Sequence, residues 1–235
     1  MTVRIRRVTT TRAGGVSAPP FDTFNLGDHV GDDPKAVAAN RKRLAAAIGL
    51  AEDHVVWMNQ THSDHVALVD GPRTDAVDDT DALVTTTPQL ALAVVTADCV
   101  PVLMSDARAG VVAAVHAGRV GAADGVVLRT LETMLANGAH TQDISVLLGP
   151  AVSGANYEVP AQMAADVEAR LPGSRTRTAK GTPGLDLRAG IARQLIDAGV
   201  EAIDADPRCT VTDPKLFSHR RDAPTGRLAC LVWME

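Results

Sequence analysis

Aromatic residues are scarce in this chain: two tryptophans, one tyrosine and three phenylalanines, 3% of 235 residues. That is too few for a base-stacking platform of the kind that holds single-stranded nucleic acid. Basic residues do not compensate. Lys and Arg total 23 against 28 Asp and Glu, and the net charge of −5 offers no general field to nucleic acid or to an anionic membrane. No apolar run approaches the ~20 residues that cross a bilayer, so neither a membrane nor nucleic acid is an expected partner. Arg6-Arg7 is not followed by an apolar segment and cleavage site, so the pair does not read as an export signal and a cytoplasmic location is expected. Three widely spaced cysteines form no disulfide framework, which suits a reducing compartment. A glycine-rich phosphate loop is also missing, which argues against a nucleoside triphosphatase or a nicotinamide enzyme.

What is present is a large apolar fraction, 46%, in a length that can bury a substantial core as one domain over 1–235. Short β-branched or apolar runs predict strands at 3–10, 55–58, 66–69, 82–85, 90–95, 100–104, 111–115, 144–148 and 228–233. The run at 90–95 lacks polar alternation and predicts a strand covered on both faces. Residues 59–64 read as the polar turn between the second and third of these strands. Helices are predicted from Asp33 as cap with Pro34 in the first turn to Gly49, and over Val126, Val127, Thr130, Leu131, Met134 and Leu135 up to Asn137-Gly138. Two more are expected, one opening at Pro160 and one capped by Asp186 and closed by Gly199, with 175–184 as a loop between them. Arg41 falls on the inward face of the first helix, a place for a charge that points into a site.

Three segments bring metal-ligating side chains to the ends of strand-like runs: His62 after Asn59-Gln60-Thr61, Cys99 after Asp98, and His116 before Ala117-Gly118. Two imidazoles and one thiolate suit zinc, and three protein ligands leave one position open for water or substrate. From spacing alone, a buried cysteine and hydrogen-bonded histidines explain the same residues. His65 is a candidate for supporting the ligands, while Cys209 and Cys230 read as structural. For anions, Ala117-Gly118 precedes a predicted helix start, and Arg41, Arg119 and the pair Arg220-Arg221 are candidate guanidinium donors. Seven scattered histidines with no His-x-His pair do not suit the several coppers of a multicopper oxidase.

Taken in order, several stretches resemble one family. They are Thr10-Thr11-Arg12-Ala13-Gly14-Gly15-Val16-Ser17, Phe24-Asn25-Leu26-Gly27, Asn40-Arg41, Gln60-Thr61-His62, Thr80-Asp81-Ala82, Ala97-Asp98-Cys99, His116-Ala117-Gly118, Gly149-Pro150 and Phe217-Ser218-His219-Arg220-Arg221-Asp222. The chain is similar to the laccase-domain family, also described as multicopper polyphenol oxidoreductases, peptidoglycan editing factors and purine nucleoside phosphorylases. The resemblance implies an α/β fold, a mixed sandwich of two packed β-sheets flanked by helices, related to cytotoxic necrotizing factor toxins. It implies a metal site on His62, Cys99 and His116, with zinc expected and copper as the alternative. It further implies phosphorolysis of inosine, adenosine, guanosine and methylthioadenosine, together with adenosine deamination.

The expected catalytic residues are therefore Cys99, His62, His116 and Asp98, the last as proton carrier or support. Asn25, Arg41, Gln60, Arg119 and Arg220 are expected to bind nucleoside and phosphate, in a chain expected to be a monomer. Two departures stand out. The family reads His-Ala-Gly-Trp-Arg-Gly where this chain reads His116-Ala117-Gly118-Arg119-Val120-Gly121, which moves the arginine by one position. A cysteine-bearing stretch before Tyr157-Glu158-Val159 is replaced by Ser153-Gly154-Ala155-Asn156, leaving Asn156 as a hydrogen-bonding candidate. The competing readings are copper-dependent phenol oxidation, cysteine-based hydrolysis of cell-wall precursors with Cys99 as nucleophile, and a non-enzymatic metal-bound interaction domain.

Overall fold

The unalternating apolar runs become strands with no exposed face. All six residues of the strand at Ala91–Thr96 are buried, as are all seven of Val111–Ala117 and all seven of Leu228–Met234. Strands of this kind need cover on both sides, and the chain supplies it by stacking two sheets between helices. The computed structural model describes residues 2–235. In chain order the elements begin with β1 (Ile5–Thr9), α1 (Pro34–Ile48), β2 (Val55–Val56), β3 (Val66–Leu68), β4 (Ala82–Thr85), β5 (Ala91–Thr96), β6 (Val100–Asp106) and β7 (Val111–Ala117). They continue with α2 (Arg119–Asp124), α3 (Val126–Ala136), β8 (Ile144–Leu148), α4 (Ala161–Arg170), β9 (Arg175–Arg177), β10 (Pro183–Leu185), α5 (Leu187–Asp197), β11 (Ala202–Ala205), α6 (His219–Asp222) and β12 (Leu228–Met234).

The smaller sheet has the order β1-β12-β5-β2 and the larger β11-β8-β6-β7-β4-β3. In each, the pairs at the centre are antiparallel, and β2 with β5, β3 with β4 and β8 with β11 are parallel. Alternate residues of β5 part into two cores. Leu92 and Val94 face the layer between the sheets with Leu103, Val112 and Val232, while Ala91, Ala93 and Val95 pack with Leu44, Trp57 and Trp233 on the α1 side. Val102, Val115 and their neighbours on the outer face of the larger sheet bury against α3, α4 and α5. The result is a four-layer sandwich, helix–sheet–sheet–helix, as the resemblance implies.

Local chemistry explains the helix limits. Asp33 caps α1 by accepting from the Lys35 N–H at 2.9 Å, and Gly49 closes it in the left-handed region, φ 76°. Asp186 caps α5 through the Ala189 N–H. Three expectations need correction. Residues 59–64 do not join neighbouring strands, because β2 lies in the smaller sheet and β3 in the larger. The predicted loop at 175–184 contains the hairpin β9–β10, a pairing invisible to an apolar pattern because Arg175 and Arg177 are exposed. Strand β11 escaped notice for the same reason, with three of its four residues exposed on a sheet edge.

Candidate functional site

The chain passes from the smaller to the larger sheet at two places that meet at one end of the sandwich. One is the turn 97–99 between β5 and β6, which carries Cys99; the other is 59–64, which carries His62. His116 completes the group from the end of β7, opposite Pro101 at the start of β6. The ligand atoms of His62, Cys99 and His116 all lie within 4.8 Å of one another. Cys99 Sγ is 3.8 Å from His62 Nε2, and the two imidazoles meet edge to face with centroids 4.7 Å apart. Gly118 permits this closeness, since a Cβ there would sit 2.6 Å from the His62 ring. His62 and Asp98 both hold left-handed backbone, φ 62° and 99°, a strain of roughly 1–3 kcal/mol each that non-glycine residues keep only where the surroundings enforce it.

For His62 the enforcing group is Asp81, fully buried just before β4. Its carboxylate accepts from the backbone N–H groups of Thr61 (3.1 Å), His62 (3.1 Å) and Ser63 (2.7 Å) and from the Ser63 hydroxyl. It also accepts from His116 Nδ1 at 2.7 Å, which fixes the tautomer and turns Nε2 toward Cys99. Burial penalises the Asp81 anion, but the His116 and Ser63 hydrogen bonds outweigh it and hold the carboxyl well below the usual range. Burial likewise opposes the Cys99 thiolate and the His116 imidazolium. Their mutual attraction, with the Asp81 bond behind His116, brings the thiol down to about 6 and lifts the imidazole to about 9.

A charge pattern of this kind sets the pH dependence of metal binding, because a ligating imidazole must be neutral and a ligating thiol deprotonated. Near neutral pH Cys99 is already a thiolate, whereas His116, titrating at about 9, still carries a proton. Zinc affinity should therefore rise about tenfold per pH unit from neutrality until it levels off above the His116 pKa. Calorimetry at neutral pH in buffers of different ionisation enthalpy should register about one proton released per ion. Proton-independent binding would contradict the assignment.

A cavity of about 690 Å³ opens over this group. Among the expected residues it is lined by His62, Gln60, Asp98, Cys99, His116, Arg119 and Arg220. Two of these are already committed. Gln60 bonds both Val95 N–H and C=O through its amide (2.9 and 2.8 Å), so it closes the sheet edge. Asp98 accepts from the Thr210 and Ser218 hydroxyls (2.6 and 2.7 Å) and the Arg220 N–H (2.7 Å). With its carboxylate occupied in this way, it ties the Cys99 turn to the segment bearing Arg220, an arrangement that suits a supporting role.

Asn25 and Arg41 lie elsewhere. Asn25 is fully buried and spends its amide on Gly27, Asp32 and the Arg227 N–H. Arg41 stacks over Trp57 and lines a separate hollow on the α1 side. His65 pairs with Asp79 on the surface, Asn156 bonds Ser153 and Cys209, and Arg221 is used up on the Thr210, Asp213 and Leu216 carbonyls. The helix after Gly118 is only six residues long, so its dipole alone is a weak anion site. Cys230 is buried between the sheets, its thiol pushed up to about 12 by that burial.

Sequence reasoning assigned no role to Asp81, Tyr157, Arg227 or His29, although the last three line the cavity. Tyr157 stands beneath the Arg220 guanidinium, 5.0 Å from its ring centroid. Its phenol is raised by burial first and then by the Cys99 thiolate, with Arg119 and Arg220 pulling the other way. Asp81 and Arg227 share one legible signal: a charge set directly against a fully buried strand, β4 or β12.

Fold and site together define a four-layer α/β sandwich protein with a His-Cys-His group that could hold a metal ion in the wall of a cavity also lined by three arginines. The model of the multi-copper polyphenol oxidoreductase laccase family matches residues 6–235, and the chain belongs to that family. A purine nucleoside phosphorylase of Mycobacterium tuberculosis is 78% identical over 100% of this chain and 94% of its own length. One from Corynebacterium glutamicum is 60% identical over 98% and 94%. The crystal structure of the Bacillus licheniformis hypothetical protein YfiH superposes with a TM-score of 0.92 at 32% identity, over 98% of this chain and 93% of that one. Among the described residues, no helix is long and apolar enough to cross a membrane.

Proposed function

We propose that the chain is a zinc-dependent purine nucleoside phosphorylase that also deaminates adenosine. The observation that carries the reading is the pairing, in one cavity, of a metal-ligating trio with Arg119, Arg220 and Arg227. Relatives named purine nucleoside phosphorylase, one of them 78% identical, support it. The donor set fits a single ion: a thiolate, an imidazole oriented by a buried carboxylate, and a second imidazole, all within reach of one point. When bound, zinc supplies Lewis-acid polarisation and activates water.

The protein's own residues do the remainder. In phosphorolysis a phosphate oxygen bonds the anomeric carbon as the bond from that carbon to the purine nitrogen breaks, and the electron pair leaves with the base. The three guanidinium groups hold the phosphate against the sugar, a positioning and charge-stabilising task. Val152, Leu187 and Val95 give the cavity apolar wall for the purine and keep bulk water from the reacting atoms. Among the described residues, only this trio joins histidine and cysteine, which favours one ion over the several coppers of phenol oxidation.

The test is direct. Zinc-loaded protein with inosine and phosphate should yield hypoxanthine and ribose 1-phosphate, and adenosine without phosphate should yield inosine and ammonia. Formation of none of these by protein that retains its zinc would reject the proposal.

A further inference from the structure

We propose that His29 binds the 2′- or 3′-hydroxyl of the ribose in this cavity, and that Arg41 and Asp28 are the positioning residues that aim it. The inference rests on the nucleoside reading above and names a second binding element of the same site. His29 lines the cavity together with Gln60, Cys99 and Arg227. It follows Asn25, Leu26 and Gly27, three buried loop residues held by hydrogen bonds. Asn25 Oδ1 accepts from the Gly27 N–H (3.0 Å) and the Arg227 N–H (2.8 Å), so the loop and the Arg227 wall share one buried anchor. Gly27 packs so closely that a Cβ there would come within 2.6 Å of the Arg227 side chain.

Arg41 holds the next turn of the loop. Its Nε and Nη2 both donate to the Leu26 carbonyl, at 3.0 and 2.9 Å, and its guanidinium lies over Trp57 with 4.2 Å to the ring centroid. From this fixed seat Nη2 reaches Asp28 Oδ2 at 3.2 Å, and Asp28 Oδ1 faces His29 Nδ1 at 3.6 Å. The facing His29 is the largest cause that keeps the Asp28 carboxyl low, at about 2, with Arg41 adding to it after burial opposes it. A chain of charge thus runs from a core tryptophan to a ring at the cavity edge. That explains why an arginine of α1 is half-buried without touching the metal group.

The chemistry of the contact follows. Nδ1 faces Asp28 at 3.6 Å, so a neutral ring that carries its proton on that nitrogen would offer Nε2 as a lone-pair acceptor. The carboxylate behind the ring disfavours an oxyanion there and suits a hydroxyl donor. Phosphate has three arginines elsewhere in the cavity, so the hydroxyl-rich sugar is the part of a nucleoside that matches His29.

The experiment is a double-mutant cycle with deoxy probes. His29→Ala should raise KM for inosine about three- to tenfold, the worth of one hydrogen bond, with kcat within about twofold. Arg41→Ala should do the same, and the double variant should be no worse than either single one. Arg41→Lys, which keeps the charge and loses the fork, should fall between wild type and alanine and guards against a folding defect in the alanine variant. Against 2′-deoxyinosine or 3′-deoxyinosine, whichever lacks the contacted hydroxyl, His29→Ala and wild type should have equal KM. An unchanged KM in His29→Ala, additive losses in the double variant, or an equal effect on both deoxy probes would overturn the assignment. Wild-type protein without nucleoside turnover is a separate result, which removes the phosphorylase reading and this inference with it.

Discussion

Cys99→Ala is expected to remove both metal retention and nucleoside turnover. The thiolate is the one anionic donor of the trio, and it is also a main reason that the neighbouring imidazole is charged when not ligating. Structural zinc sites bind with free energies on the order of 10–16 kcal/mol, and losing about a third of the low end of that range costs roughly 4 kcal/mol, about three orders of magnitude in affinity. Metal content after dialysis, read beside the phosphorolysis rate, checks it. One zinc per chain in Cys99→Ala would place the metal elsewhere. Zinc retained by Cys99→Ser with activity lost would instead favour the sulfur as nucleophile.

Asp81→Ala should cost the fold as well as the site. The wild-type carboxylate satisfies three consecutive backbone N–H groups and the His116 ring inside the protein. Its removal leaves the buried His116 ring without its acceptor, a loss of about 3–5 kcal/mol for breaking a buried pair. For a chain of this size each kcal/mol moves Tm by about 2–4 °C, so a fall of about 10 °C is expected in a thermal melt. Asp81→Asn keeps one acceptor and the shape, and should retain most of the stability while losing about 10–100-fold in zinc affinity. The sign with pH is fixed. The folded carboxyl titrates below its unfolded value, so its stabilisation is present above about pH 4 and is lost on acidification through the folded pKa. A melt of Asp81→Ala indistinguishable from wild type would refute the role.

The candidate metal ligands were legible because each follows a strand-like run, and a chemically distinctive residue at a strand end stands out against small aliphatic neighbours. Their joining into one group was not legible from spacing, and it came with the family resemblance. What the residue pattern concealed was which crossings pass between sheets. The polar stretch 59–64 reads the same whether it turns back beside its own strand or moves to another layer. Arg41 illustrates a second limit. Helical spacing correctly put it on the inward face of α1, but the inward face meets Trp57 and the Leu26 carbonyl and not the metal group. Asp98 shows a third: adjacency to Cys99 suggested proton transfer or support, and it takes the three donors around its carboxylate to favour the second.

The two crossings that carry His62 and Cys99 have a mechanical consequence. An ion held by both would join two crossings that Gln60 and Asp81 already tie to β5 and to the start of β4, and so would act as a further rivet through the sandwich. Chelation should then do more than abolish the proposed turnover. Hydrogen exchange ought to quicken along β5, β6 and β7 together, as one loosened unit, while α1 and β1 on the far side keep their protection.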